Sequence, residues 1–355
     1  MTVDWETAVV NDKGTTFAFL DSGAPTGETY TTVVCIHGHS FHARSFEPLF
    51  PFAASHNLRI IALNRRDYVG TSLFSQAELD AINGSDSAVH ASFLQDRALE
   101  IAQFMVWLVN EKNVPKASGD GKSGGLAVLG WSLGNVFSVA FLRHLTSFPV
   151  EVKQVLSSYM RTGFLYESAY SGLGYPKPEG AYQPLTDPSI PERMRGVLFG
   201  TWVSSYFNHP YYSTPSDTRV KSLSSLQLRT PEPDTEATLY KRPTIEVIPG
   251  EELKTSVDTA PDARSERPYW AVVKPSTLYG NTLGTFIRPS EPESLQSVKI
   301  SVIYCLSSVW SAQWVIIELE RDLEKRKAEG KELRQVSFVP IEGGNHFVSE
   351  RDTVS

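Results

Sequence analysis

The stretch Gly130-Trp131-Ser132-Leu133-Gly134 puts a serine between two glycines where a strand meets a helix. The apolar run Leu126-Ala127-Val128-Leu129 precedes it, and the helical pattern Val136-Phe137-Ser138-Val139-Ala140-Phe141-Leu142 follows. In a G-x-S-x-G turn of this kind the small residues let the backbone reverse sharply and lift the hydroxyl clear of the sheet. The helix behind it aims its free N–H groups at the same point, which favours developing negative charge there. Ser132 is therefore a candidate nucleophile. A serine hydroxyl attacks well only if a neighbouring imidazole accepts its proton, and that imidazole then protonates the leaving group. The chemistry this points to is acyl transfer through a covalent ester on Ser132, with water as acceptor.

Other clusters offer less. His37-Gly38-His39-Ser40-Phe41-His42 has the H-x-H-x-x-H spacing of a metallo-β-lactamase-like zinc site. Phe41 stands where that motif has an aspartate, and no later ligand set is evident, so no metal is expected. Gly119-Asp120-Gly121-Lys122-Ser123 hints at a phosphate loop, but Lys116 holds the first glycine position and the segment precedes a strand. It reads as a solvent loop. Cys35 sits inside a strand-like run and reads as inert core. Arg65, Arg66 and Asp67 read as an ion pair bracing a loop. The helical charges Glu318, Glu320, Arg321, Asp322, Glu324 and Lys325 read as a solvated face.

The elements that must position Ser132 alternate between strand and helix. Residues 7–20 and 31–36 read as strands joined by the turn Asp21 to Gly27, and Arg59-Ile60-Ile61-Ala62-Leu63 as another. Between Ser92 and Val109 the residues Phe93, Leu94, Ala98, Ile101, Phe104, Met105 and Leu108 recur at helical spacing. After the serine turn and its helix, the pattern changes between about Thr162 and Leu295. That stretch is rich in Pro, Tyr and Ser, with a helix expected near Ile190 to Phe207 behind a Ser189-Ile190-Pro191-Glu192 capping box. Strand character returns at Val298 to Tyr304, then a helix from about Ala312 to Ala328 and a strand from Gln335 to Val339. Such alternation predicts an α/β fold with a largely parallel sheet. Residues 1–161 and 296–355 would form its core, and residues 162–295 an inserted cap.

Composition bounds the rest. The chain has 355 residues, 41% hydrophobic and 21% charged, which suits one large or two smaller globular domains. A formal charge of −7 argues against a nucleic-acid partner. No apolar run approaches the roughly 18 residues of a membrane span. Two cysteines, Cys35 and Cys305, exclude a disulfide framework and suit a reducing compartment. Without a signal peptide at Met1 to Glu6, the expected location is the cytoplasm.

Two further segments turn the serine motif into a constellation. The strand ending at Ile36 runs into His37-Gly38-His39-Ser40, and the last strand runs into Gly343-Gly344-Asn345-His346-Phe347. Taken with Gly130 to Gly134, and with the polar turn Asn64 to Ser72, the chain resembles the α/β-hydrolase superfamily over its sheet domain. The resemblance implies a mostly parallel sheet flanked by helices. It implies that the backbone N–H groups of His39 and Leu133 form an oxyanion hole, and that His346 is the general base. That family's third member is an acid that orients the histidine. Its usual loop here reads Cys305 to Ser311, and the other known location, after the strand expected behind the nucleophile helix, reads Leu156 to Met160, neither with a carboxylate. Glu167 and Glu318 are the nearest downstream acids, and neither is assigned; the third member is left unidentified.

The function implied is a serine hydrolase of the carboxylic-ester class (EC 3.1.1 type), cleaving an ester, lactone or related carbonyl compound without cofactor or metal. A missing acid would keep two alternatives open: lyase or isomerase chemistry on the same fold, or ligand binding alone. The aromatic residues Trp202, Tyr206, Phe207, Tyr211, Tyr212, Tyr269, Trp270 and Tyr279 of the insertion would pack its own core, with some lining a pocket for a fairly hydrophobic small molecule. Nine residues follow His346, short for the family's closing helix, so that helix would be abbreviated or its packing supplied by a partner subunit.

Overall fold

An eight-stranded sheet in the order β1-β2-β4-β3-β5-β6-β7-β8 organises the chain in the computed structural model. The structure describes residues 3–27, 29–216, 218–230, 242–290 and 293–347; the expected closing segment, 348–355, lies outside them. The strands are β1 (Glu6–Val9), β2 (Thr16–Asp21), β3 (Thr31–Ile36), β4 (Leu58–Leu63), β5 (Leu126–Trp131), β6 (Met160–Tyr166), β7 (Lys299–Cys305) and β8 (Val336–Ile341). β1 and β2 pair antiparallel, as do β2 and β4, and every pairing from β4 across to β8 is parallel. The central strands β3 and β5 are almost wholly buried, which explains their unbroken apolar runs.

Register brings the chemistry-bearing loops to one edge. Ile36 lies opposite Leu63 on one side and Gly130 on the other, and Trp131 lies opposite Tyr166. The residues that follow these strands therefore emerge together at the carboxyl ends of a parallel sheet, where ligand crevices form in such folds.

The main helices are α1 (Gln76–Asn83), α2 (Ser87–Glu111), α3 (Asn135–His144), α4 (Val150–Tyr159), α5 (Glu192–Val203), α6 (Pro275–Phe286) and α7 (Trp310–Ala328). In α2 the expected stripe from Phe93 to Leu108 is buried, and α3 is buried from Asn135 through Leu142. Full burial of a single large apolar side chain contributes about 1.5–3 kcal/mol, so this layer is a major source of stability.

Four local expectations need correction. Residues 7–20 form a hairpin and not one strand, because Asn11 to Gly14 turn back, with Gly14 at φ +76° donating its N–H to the Asn11 carbonyl at 3.0 Å. The capping box before α5 does not form: the Ser189 hydroxyl bonds Asp187 at 2.6 Å, and Pro191 opens the helix without a side-chain cap. Residues 150–159 are helical, since Val152 and Leu156, four apart, form its buried face. The next strand accordingly runs from Met160 to Tyr166, and the chain leaves the sheet after Tyr166, not at Arg161. The long stretch beyond it returns to the body through α6, where Thr285 Oγ1 donates to the Val139 carbonyl at 2.9 Å.

Candidate active site

The serine turn is built by close approach of backbone to backbone. Ser132 has φ +53°, a left-handed conformation that a non-glycine residue holds only at a cost of order 1–3 kcal/mol. The glycines beside it explain how the turn fits. A Cβ at Gly134 would overlap the carbonyls of Ile36 and His37, and one at Gly130 would overlap the Ser138 hydroxyl and Asn135. Gly38, in the loop after β3, lies so near that a Cβ there would sit 3.0 Å from Ser132 Cβ.

His346 is held by its neighbours on three sides. Trp131, just before the serine, donates its indole N–H to the His346 carbonyl at 3.0 Å. Asn345 accepts from the Phe347 N–H at 2.9 Å and donates to the Ser204 carbonyl at 2.6 Å and Thr244 Oγ1 at 2.7 Å. The imidazole Nδ1 meets Glu167 Oε2 at 2.8 Å. Beside a carboxylate, Nδ1 carries the proton and Nε2 is left as the acceptor.

Glu167, one of the two acids left unassigned in the sequence, is the carboxylate that meets His346. It is fully buried, and it follows β6 directly at φ +49°. Its own N–H donates to the Ile303 carbonyl at 3.0 Å. Its carboxylate accepts from the Cys305 N–H at 2.6 Å and from the Ser308 hydroxyl. Three donors thus satisfy a charge that burial would otherwise penalise. The loop Leu156 to Met160 held no acid because it lies in α4 and the start of β6, one strand length too early. The signal for Glu167 was the run Phe164-Leu165-Tyr166 before it, hidden by Arg161 and Gly163. Gly163 is needed because a Cβ there would strike Leu142 of α3. Glu318, the other carboxylate weighed, pairs with Arg321 on α7 at 2.6 Å.

His39, Ser132, Leu133 and His346 all line one cavity of about 310 Å³. The Leu133 N–H lies in the first turn of a helix, where backbone donors have no intrahelical acceptor. Trp202, Trp270, Phe199, Val203 and Trp310 supply apolar wall, with Lys177 and Gln183 among the polar lining groups. Of the aromatic residues expected in the insertion, Trp202 and Trp270 reach the cavity. Tyr269 is buried instead against Phe93 and Phe137, and Phe207, Tyr211 and Tyr212 pack on their neighbours.

The loop after β3 divides its histidines among three environments. His37 is buried; its Nδ1 faces the Gly38 carbonyl at 2.9 Å and its Nε2 accepts from the Arg65 N–H at 3.0 Å. Burial first, and then the neighbouring Arg65 charge, hold its pKa well below the usual histidine range. His42 caps the helical turn after it by accepting from the Arg44 N–H, and burial lowers its pKa to about 4. Burial opposes charge on His39, but Glu266 at 3.3 Å and Asp262 at 3.6 Å outweigh it and raise its pKa. The expected ion pairs among Arg65, Arg66 and Asp67 do not form with one another. Arg65 pairs with Glu266, Arg66 with Glu78 and Glu100, and Asp67 with Arg264. Among the described residues no group of three metal-ligating side chains converges. No described helix is long and apolar enough to cross a membrane.

No protein-family model matches the sequence, and no curated protein matches it significantly. Solved structures do. A laboratory-evolved variant of potato epoxide hydrolase is 12% identical, with 98% of this chain and 94% of that one covered and a TM-score of 0.52. A second evolved variant of the same enzyme gives 12%, 98%, 94% and 0.50. A bromoperoxidase from Bacillus anthracis gives 13%, 97%, 94% and 0.46. The strand order, the parallel register and the likeness to the epoxide hydrolase variants together show that this chain has the α/β-hydrolase fold.

Proposed function

We propose that the protein is a serine hydrolase that cleaves a carboxylic ester, lactone or related carbonyl compound through an acyl-enzyme on Ser132. The observation that carries this reading is the buried Glu167–His346 hydrogen bond at a cavity that His346 shares with Ser132, a serine on a strained strand-to-helix turn. Glu167 fixes the imidazole with its proton on Nδ1, so that Nε2 is free to take the Ser132 proton as the hydroxyl attacks. The tetrahedral oxygen is held by the N–H groups of His39 and Leu133, each worth on the order of 3 kcal/mol of barrier. Collapse of that intermediate returns the proton to the leaving alcohol. Water then repeats the sequence and frees the acid.

The cavity favours a medium-sized substrate with a hydrophobic portion. Its volume of about 310 Å³ is at the lower end of the range typical of small-molecule sites. Tryptophan walls suit an apolar or aromatic group. In this reading the stretch after Glu167, up to about Leu295, acts as a cap. The two cysteines, both free and buried, suit a cytoplasmic setting.

The test is turnover of an ester and lactone panel with the enzyme's intact mass followed before steady state. A mass increase equal to the acyl group, abolished by Ser132→Ala, is expected. Turnover that proceeds without any acyl-enzyme in wild type, and survives Ser132→Ala, would point to lyase or isomerase chemistry instead.

A further inference from the structure

The loop that carries His39 is gripped from beneath by one buried cation. Arg65 follows β4, and its side chain is 5% exposed. Its Nε donates to the His37 carbonyl at 3.1 Å and its Nη2 to the Gly38 carbonyl at 2.8 Å. The guanidinium also meets both oxygens of Glu266 at 2.8 Å. Its carbon lies 5.0 Å from the Tyr68 ring centroid and 4.8 Å from that of Phe137, a residue of the helix behind Ser132. Tyr68 adds a further hold, its hydroxyl accepting the Ser40 N–H at 3.1 Å.

The peptide joining Gly38 to His39 is a planar trans unit, so its carbonyl and its N–H point in opposite directions. With the carbonyl drawn onto Arg65 and the His37 ring, the His39 N–H is turned away from the guanidinium. Among the described residues that N–H has no acceptor. Ser132 is pressed against Gly38, and Ser132 and His39 both line the cavity. A rotated peptide would present the Gly38 carbonyl where an oxyanion is to form.

We infer that Arg65, anchored by Glu266, is a positioning residue that sets the orientation of the Gly38–His39 peptide and so preforms the oxyanion hole. The inference rests on the serine-hydrolase reading above. Glu266 belongs to the inserted stretch, and it also bonds the His39 ring. The insertion therefore does more than roof the cavity: it supplies the counter-charge that permits an arginine to be buried under the oxyanion loop. An ammonium could satisfy Glu266, but as a single point donor it could not also hold two carbonyls in a fixed plane.

The experiment compares Arg65→Lys and the double variant Arg65→Met/Glu266→Gln with wild type. The double variant leaves no unpaired buried charge, so it guards against simple failure to fold, as checked by thermal melting. Readouts are kcat and KM on one ester, the affinity of a trifluoromethyl ketone that forms a tetrahedral adduct, and the affinity of the product acid. Both folded variants are expected to lose about 10²- to 10³-fold in kcat, with a parallel loss of ketone affinity. KM and product-acid binding should not change. Wild-type kcat and ketone affinity in Arg65→Lys, or a loss confined to KM and acid binding, would overturn the inference. Failure of wild type to bind the ketone covalently at Ser132 would instead overturn the hydrolase reading beneath it.

Discussion

Glu167 Oε2 and His346 Nδ1 lie 2.8 Å apart, both withdrawn from solvent, although 179 positions separate them in the chain. The carboxylate hangs from the end of β6, the imidazole from the loop after β8, and β7 lies between them in the sheet. Replacing Glu167 by glutamine removes the charge that stabilises the imidazolium and permits the wrong tautomer. A fall in kcat of about 10³- to 10⁴-fold is expected, with KM little changed. Steady-state kinetics on a purified ester hydrolase activity would check it; a loss below tenfold would assign Glu167 a structural role only.

Two glycines near Ser132 should fail in different ways. At Gly134 a methyl group meets backbone carbonyls of β3 and the loop after it, which have no room to shift. Gly134→Ala should lower stability by several kcal/mol, in the range of severe core defects. At Gly38 the methyl meets chiefly the Ser132 side chain. Gly38→Ala should leave the melting temperature nearly unchanged while sharply slowing acylation. Thermal melting and active-site titration of the two variants separate the outcomes.

Acid should weaken the fold through His42. Burial lowers its pKa to about 4, with Arg44 adding to the effect and Asp258 and Glu47 opposing it. The folded form therefore binds its proton more weakly than the unfolded chain, whose histidines titrate near 6.5. Above that pH the group costs nothing. As pH falls from about 6.5 to about 4, the unfolded state takes up the proton first, and stability drops by about 3 kcal/mol in all. His42→Asn keeps a side-chain acceptor for the helix cap and removes the titration. Urea melts at several pH values should show a shallower acid limb in that variant.

Phe199 stands half-buried in the cavity wall beside Trp202. Truncation to alanine removes wall and not machinery. The preferred acyl chain should lengthen, with kcat/KM rising for long esters and falling for short ones. A chain-length series on wild type and Phe199→Ala measures this directly; parallel loss for all lengths would remove Phe199 from the acyl site.

Much of this was legible in the residues themselves. The serine turn, the loop after β3 and the histidine after β8 each carry a short signature next to an apolar strand, so local chemistry and local structure coincide. Glu167 carried no such mark. Its strand is interrupted by Arg161 and Gly163, and the helix before it, with Val150, Val152 and Val155, imitates a strand. A single shift of one element then moved the acid out of view. Arg65 was visible as a charge, but its partner Glu266 lies 201 residues away, and no local pattern links it to the stretch between β6 and β7 that carries Glu266. The Ser189 capping box misled for a local reason: Asp187, two residues before it, takes the same hydroxyl.

The most direct test of the central claim is the rate of covalent labelling by a fluorophosphonate, followed by intact mass and peptide mapping. Wild type should take up one phosphonyl group on Ser132, Ser132→Ala none, and His346→Ala and Glu167→Gln should label far more slowly. Equal labelling of Ser132→Ala and wild type, or a label mapped to another residue, would contradict the account.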